Sequence, residues 1–195
     1  MQVTLKNSFT VDQPINRVWA FLSDPRKVAT CMPGAEILEA VNDKTYKGAV
    51  KLKLGPFSAQ FQGEIVIEQM DSGSHEIRMV GKGKDTKGTG SATMTISGKL
   101  NEQPGGKTEM VSQSDLVISG KMAQFGSRMI EDVSKSMFEK FTLAMSDRLG
   151  AEASGQTPPP AAGGQAISVT EVAGAVVKGV VGRLFGKGGK DDSGA

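Results

Sequence analysis

Residues 121–149 read KMAQFGSRMIEDVSKSMFEKFTLAMSDRL, and the rest of the chain has to fold around what this stretch becomes. Apolar residues recur at Met122, Phe125, Met129, Val133, Met137, Phe141 and Met145. Steps of three or four keep them on one face of a helix. Arg128, Glu131, Lys135, Glu139 and Ser146 fall on the other face, with Glu131–Lys135 and Lys135–Glu139 spaced for ion pairs. Gly120 precedes the helix and Gly150 follows it, a start and a stop signal. Four of the seven apolar positions are methionine, a flexible, polarisable side chain that fills irregular gaps and adapts to more than one shape. Two readings follow. One is a loosely packed amphipathic core helix; the other is a helix that closes a cavity holding an apolar ligand.

Upstream, the hydrophobic period is mostly two. Val3, Leu5, Phe9 and Val11 alternate with polar residues and predict a half-buried strand. Pro14 then suits a helix start, with Ile15, Val18, Trp19 and Leu22 on one face, until Ser23-Asp24-Pro25 breaks it. A second short helix is expected from Arg26 to Cys31, ended by Met32-Pro33-Gly34. Six strands follow, with turns at Asn42-Asp43, Gly55-Pro56, Asp71-Ser72-Gly73, Gly88-Thr89-Gly90 and Asn101 to Gly106. The clearest places Phe57, Ala59, Phe61, Gly63, Ile65 and Ile67 inward. Ile77 and Met79, then Ala92, Met94, Ile96 and Leu100, then Met110, Ser112, Ser114, Leu116 and Ile118 line the inner face of later strands.

Short turns between consecutive strands imply an antiparallel meander with one wet face and one buried face. The expected fold is α+β, a curved sheet of about seven strands burying its apolar face against one long helix. Gly48, Gly63, Gly81 and Gly98 read inward, where they mark bends or bulges and also remove side-chain volume. With Met79, Met94 and Met110 on the sheet and Met129 and Met137 on the helix, this composition favours a cavity over a solid core. Its walls are assigned to Phe57, Phe61, Ile65, Met79, Met94, Ile96, Phe125, Met129, Val133 and Met137. Its mouth is expected where the short helices and the 81–90 loop meet the long helix.

The chain divides into a domain at residues 1–150, a Pro/Gly-rich linker at 151–165 containing Pro158-Pro159-Pro160, an amphipathic helix at 166–186 and a frayed end at 187–195. The linker is expected to be semi-stiff and disordered. In the tail, Val169, Val172, Ala173, Val176, Val180 and Leu184 share a face that Val177, Val181 and Phe185 extend. Glu171, Lys178, Arg183 and several glycines argue against a spanning helix. A helix lying on a membrane fits better, with Lys178, Arg183, Lys187 and Lys190 facing anionic head groups; the alternative is docking on a partner protein.

Composition excludes several classes. In 195 residues, 38% hydrophobic and 23% charged, 23 Lys/Arg stand against 21 Asp/Glu for a net charge of +2. That balance gives no reason to expect nucleic acid. One cysteine, Cys31, allows no internal disulfide, and with His75 as the one histidine there is no His/Cys set for a metal. The first residues lack the apolar core of a secretory signal, so a cytoplasmic protein is expected. Residues 81–90, GKGKDTKGTG, look like a phosphate loop but lack Gly-Lys-Ser/Thr opening a helix and any βαβ unit. They read as a flexible basic hairpin loop, able to move as a lid. His75 reads as a strand residue without a partner, and Cys31 has no basic neighbour closer than Lys27 to activate it. Asn7, Ser112 and Ser114 read inward; buried polar groups need partners, so they pair with one another or serve a ligand. No nucleophile–base pair is found, and no catalytic residue is assigned.

Residues 22–25 (LSDP) and 31–36 (CMPGAE), together with 120–130 (GKMAQFGSRMI) at the long helix, resemble the G subunit of carbon monoxide dehydrogenase. That family belongs to the START-like (SRPBCC) superfamily of helix-grip hydrophobic-ligand carriers. The resemblance covers about residues 1–150. It implies a non-catalytic accessory to a molybdenum hydroxylase-type carbon monoxide dehydrogenase, peripherally attached to the inner face of the cytoplasmic membrane. Such a dehydrogenase must pass electrons to a lipid acceptor, and a Met-lined cavity, a tether and a membrane-seeking helix are the parts of a shuttle. The expected cargo is therefore a respiratory quinone, menaquinone or ubiquinone, carried between membrane and dehydrogenase. Two rivals remain, a membrane anchor without ligand transfer and a START-like cyclase/aromatase-type enzyme using His75, Ser112 and Ser114.

Overall fold

A computed structural model describes residues 1–54, 57–162 and 167–168. The turn read at Gly55-Pro56 and the tail helix with its membrane residues lie outside the described residues. The strands are β1 (Gln2–Val11), β2 (Ala35–Ala40), β3 (Thr45–Leu54), β4 (Phe57–Asp71), β5 (Glu76–Asp85), β6 (Ser91–Gln103), β7 (Lys107–Ile118) and a two-residue β8 (Ile167–Ser168). Two short helices, α1 (Ile15–Leu22) and α2 (Pro25–Cys31), separate β1 from β2. The long helix α3 (Ser127–Ala153) follows β7 after a 3-10 turn at Gly120–Phe125. The sheet runs β1-β7-β6-β5-β4-β3-β2, antiparallel throughout, and β8 joins β3 in parallel. The alternation of the sequence specifies its two faces. One is ion-paired and wet, with Arg78–Glu68 and Lys99–Glu76 bridged across strands, and the other is apolar.

The long helix differs from its sequence reading at both ends. Gly120 and Gly126 adopt φ of 75° and 80°, values that suit glycine alone. They bracket a 3-10 turn, so Met122 and Phe125 precede α3 instead of forming its first turn. The spacing of apolar residues is blind to such a break. At the other end α3 passes through Gly150 and stops at Ala153, with Ser154 as the cap and Gly155 at φ 66°. A helical glycine costs about 1 kcal/mol against alanine. Burial of Leu149 and Ala151 on either side outweighs that. Glu131, Lys135 and Glu139 form no ion pair among the described residues, as is common for exposed charges.

α3 bridges two separate cores. In one, Val3, Ala59, Phe61, Ile118 and Met122 pack with Ile130 and Val133 from its first half. In the other, Val11, Ile15, Val18, Phe21, Cys31 and Leu100 pack with Phe141, Met145 and Leu149 from its second half. Between them the helix leans on β1, where the Phe9 and Phe138 rings meet edge to face at 5.5 Å.

Residues 156–162, within the linker expected at 151–165 to be disordered, fold back on the domain. The Gln156 N–H reaches the Ala151 carbonyl at 2.9 Å and the Ala162 N–H reaches the Thr30 carbonyl at 2.8 Å. Arg148 Nη2 donates to the Pro159 carbonyl at 2.9 Å. Prolines cannot donate, but their carbonyls stay free for such partners.

Curvature comes from a cross-strand row of glycines, Gly48 opposite Gly63 and Gly63 opposite Gly83. The crease at Gly63 is so sharp that a Cβ there would strike the Lys82 carbonyl and the Gly83 Cα. A Cβ at Gly81 would meet Ile65 Cγ1 at 3.9 Å, an ordinary contact. Gly63→Ala should therefore destabilise the protein by about 2 kcal/mol or more, and Gly81→Ala by less than about 1 kcal/mol. Urea unfolding of both variants checks this; equal costs would contradict it.

Candidate ligand-binding site

Pairing register shows which predicted residues share the concave face. Ile65 pairs with Gly81 and Gly81 with Met94; Met79 pairs with Ile96 and with Ile67. Ile65, Met79, Met94 and Ile96 therefore form one patch across β4, β5 and β6, and all four are half-buried. None of them belongs to either packed core. Phe61 and Val133 do, at 8% and 7% exposure, with Phe125, Met129 and Met137 packed against the same core. The Phe57 backbone pairs with Leu54; its side chain lies outside the described residues. The site residues thus divide into a closed end around Phe61 and a less covered strip next to it. Ile67 and Ile77 share the face of the strip, although the sequence reading leaves them out of the cavity wall. A bulge between Ile67 and Gln69 resets the alternation in β4, so Met70 faces the same way.

The 81–90 segment is not a lid. Residues 81–85 belong to β5, and the remaining turn is pinned. The buried Asp85 carboxylate accepts the Thr89 hydroxyl at 2.5 Å, the Thr89 N–H at 3.2 Å and the Gln60 N–H at 3.4 Å. The Lys121 N–H then donates to the Thr89 carbonyl at 2.9 Å, tying the turn to the 3-10 segment. Gly90 and Gly120 cross so closely that neither could carry a Cβ without striking the other strand. Nor does this turn meet the short helices. It sits at the Ala92 end of β6, while α1 packs at the Leu100 end, about 27 Å away at 3.4 Å per residue. The expected mouth between those elements is therefore absent from the fold.

His75 lies in the turn before β5, at φ 53°, with its ring edge-on to Trp19 at 5.4 Å. The Cys31 thiol is fully buried and burial pushes its pKa up, which leaves it protonated and inert. No group of three metal-binding side chains occurs among the described residues. Asn7 and Ser112 are opposite one another, and Ser114 is beside Ile96. Ser136 of α3 is also buried, at 4% exposure; helical spacing alone could not tell it from a surface serine. Two open depressions border other surfaces. One, of about 550 Å³, lies on the wet face of the sheet near Lys6, Arg78 and Gln113. The other, of about 650 Å³, lies between α2 and β2 near Thr30, Leu38 and Ala161. Neither is lined by a residue assigned to the cavity wall, although Ser112 borders the first.

A meander wrapped on one helix, with a largely apolar concave face, agrees with the comparisons. The family model of the carbon monoxide dehydrogenase G subunit (CoxG) matches residues 8–150. The chain belongs to the CoxG family. Among solved structures, a conserved protein from Geobacillus kaustophilus superposes with a TM-score of 0.70 at 18% identity, over 77% of this chain and 97% of that one. A START superfamily protein from Mycobacterium smegmatis gives 0.56 at 12% identity, over 76% and 98%. The aromatase/cyclase ZhuI from Streptomyces sp. R1128 gives 0.52 at 15% identity, over 79% and 94%. At these identities the likeness is one of fold. No match was found among curated proteins. As a CoxG protein, this chain is an accessory associated with carbon monoxide dehydrogenase, and no helix among its described residues is long and apolar enough to cross a membrane.

In this CoxG protein the pinned turn is acid-sensitive. The Thr89 hydroxyl holds the Asp85 carboxyl below its ordinary value, helped by backbone N–H groups and opposed by burial. A lowered folded pKa stabilises fully above the unfolded value of about 3.9. That contribution disappears as pH falls through the lower folded value. Thr89→Val should flatten the fall in urea stability below about pH 4. An unchanged pH profile would contradict the role given to the hydroxyl.

Proposed function

We propose that this CoxG protein is a non-catalytic carrier that takes a respiratory quinone, menaquinone or ubiquinone, between the cytoplasmic membrane and a molybdenum-containing carbon monoxide dehydrogenase. The observation that carries this reading is the patch of Ile65, Met79, Met94 and Ile96, half-buried on the concave face and outside both cores. A dehydrogenase that feeds respiration must hand electrons to a lipid-soluble acceptor, and an apolar strip suits a prenyl tail. Apolar burial contributes roughly 25 cal/mol per Å², so a few isoprene units against this strip would offset their loss from the bilayer. Near balance is what a carrier needs, because its cargo must also leave. Methionine walls tolerate the same space being full or empty. The tail fits the reading in sequence: Val169, Val172, Val176, Val180, Leu184 and Phe185 supply an apolar face, and Lys178 and Arg183 supply charge for anionic lipid.

Organic extraction of the purified full chain, followed by mass spectrometry, should release a quinone. Gly81→Phe places a ring over the strip between Ile65 and Met94 and should weaken binding of a short-chain quinone analogue about tenfold or more, while the protein stays folded. Absence of quinone from the extract, together with no binding of the analogue, would refute the carrier. Deleting residues 151–195 separates carrier from anchor. A carrier so truncated still binds the soluble analogue and loses vesicle association, whereas a pure anchor binds no analogue in either form.

A further inference from the structure

Charge is distributed unevenly along the strands. The ion pairs found among the described residues are Lys47–Glu39, Arg78–Glu68, Lys99–Glu76 and Lys107–Asp12. None of them reaches one end of the sheet. Pairing register aligns Glu36, Ala49, Gln62, Lys84 and Ser91 in a row across β2 to β6. Beyond that row, toward the β3–β4 hairpin, the described residues include Lys51, Lys53, Lys87 and Lys121. The one carboxylate described there is Asp85, buried and committed to Thr89 and Gln60. α3 begins at the same end with Arg128 and no acidic residue in its first turn, so the positive end of its dipole adds to the lysines. Glu131 and Asp132 follow one turn later. Lys53, Lys87, Lys121 and Arg128 are exposed and enter no ion pair among the described residues.

These positions belong to one surface. The Thr86 N–H donates to the Gln60 carbonyl at 2.8 Å, joining the turn after β5 to β4. The Lys121 N–H donates to the Thr89 carbonyl at 2.9 Å, joining the 3-10 segment to that turn. The last rung of the β3–β4 hairpin is Leu54 opposite Phe57, apolar in sequence next to Lys51 and Lys53.

A second observation is independent of charge. The linker is held along α2 by Arg148 at the Pro159 carbonyl and by the Thr30 carbonyl at the Ala162 N–H. β8 then runs parallel to β3, with Ile167 beside Leu52 and Ser168 beside Lys53. Being parallel, it advances as β3 does, toward the end that carries the unpaired lysines. The sequence that follows β8 is the one assigned above to anionic lipid.

We infer that the end bearing Lys53, Lys87, Lys121 and Arg128 is the face this domain turns to an anionic membrane, with β8 aiming the tail at the same plane. This deepens the carrier reading and rests on its membrane half. Each lysine close to an anionic surface gains from its negative potential, and cations without internal partners break no ion pair on arrival. An acidic protein would offer the same sign of charge. The direction of β8 favours lipid, because tail and lysines then engage one surface, and the first contact raises the effective concentration of the second. The pose also brings the uncovered strip close: Ile65 is three residues along β4 from Gln62, about 10 Å.

The test uses the full chain and vesicles of phosphatidylglycerol with phosphatidylcholine. Cys31 is fully buried, so a thiol-reactive fluorophore reports on a cysteine introduced at either end, Thr86→Cys at the basic one or Ser72→Cys at the opposite turn. A phospholipid spin-labelled in its head group should quench the label at position 86 and spare the one at position 72. Replacing Lys53, Lys87 and Lys121 together by Gln should weaken vesicle binding about tenfold or more. The same charge loss at Lys6, Lys27 and Lys44 should change it less than about twofold. The urea midpoint of each triple variant reports that it is folded. Equal quenching at the two ends, equal losses in the two triple variants, or a Lys53/Lys87/Lys121 variant that keeps vesicle binding but no longer serves the dehydrogenase would overturn the pose and spare the carrier. Wild type that ignores anionic vesicles would overturn the pose and the membrane half of the carrier together. A chain that binds vesicles in this pose but yields no quinone would refute the carrier alone.

Discussion

Seven strands spaced about 4.8 Å apart make a surface about 29 Å across, while the one helix laid against it is about 10 Å wide. That mismatch governs the molecule. α3 lies near the β1 edge, where Phe138 meets Phe9, so β4, β5 and β6 need another cover for their apolar side. The glycine row Gly48–Gly63–Gly83 curls the sheet and recovers part of the difference. The ends are closed by other means. The 3-10 turn brings Met122 down on Phe61 and Ile118, and α1 and α2 bring Val18, Phe21 and Cys31 down on Leu100. The middle is left with half-buried side chains.

Closed ends thus flank a less covered middle. The two compact cores include side chains such as Met145 and Leu149 with no exposure at all. The strip between them is built from Ile65, Ile96 and two methionines, whose thioether chains adjust to what lies against them. The turn at one end is hydrogen-bonded through Asp85 and the two crossing glycines, which makes it a fixed wall. Resemblance in fold to an aromatase/cyclase does not bring chemistry with it. His75 stands in a turn with its ring against Trp19.

Much of this was legible in the residues. Strict alternation in β4 and β6 put Phe61, Ile65, Met94 and Ile96 on one face, and short turns forced the meander. Alternation reports the face a residue occupies and not its depth. It could not separate Phe61, packed in a core, from Ile65, which is in none. The helical period likewise ran unbroken through Gly126, because a left-handed glycine costs the pattern nothing. The bulge after Ile67 was invisible for a similar reason: one extra residue shifts the phase without changing composition. The lid reading of 81–90 took glycines as mobility, whereas Gly90 is there to let two backbones cross. Ser136 could not be recognised as buried, since helical spacing alone reads it as a surface serine.

Methionine-methyl NMR tests most directly whether the uncovered strip, and not the cores or the outer surfaces, receives an apolar ligand. One molecule suffices, because the chain has ten methionines distributed over every environment described. On titration with a short-chain prenyl naphthoquinone, the Met79 and Met94 methyl signals should shift, while that of Met145, without exposure, should stay in place. A shift of the Met145 signal without those of Met79 and Met94, or an unperturbed spectrum at saturating ligand, would contradict it.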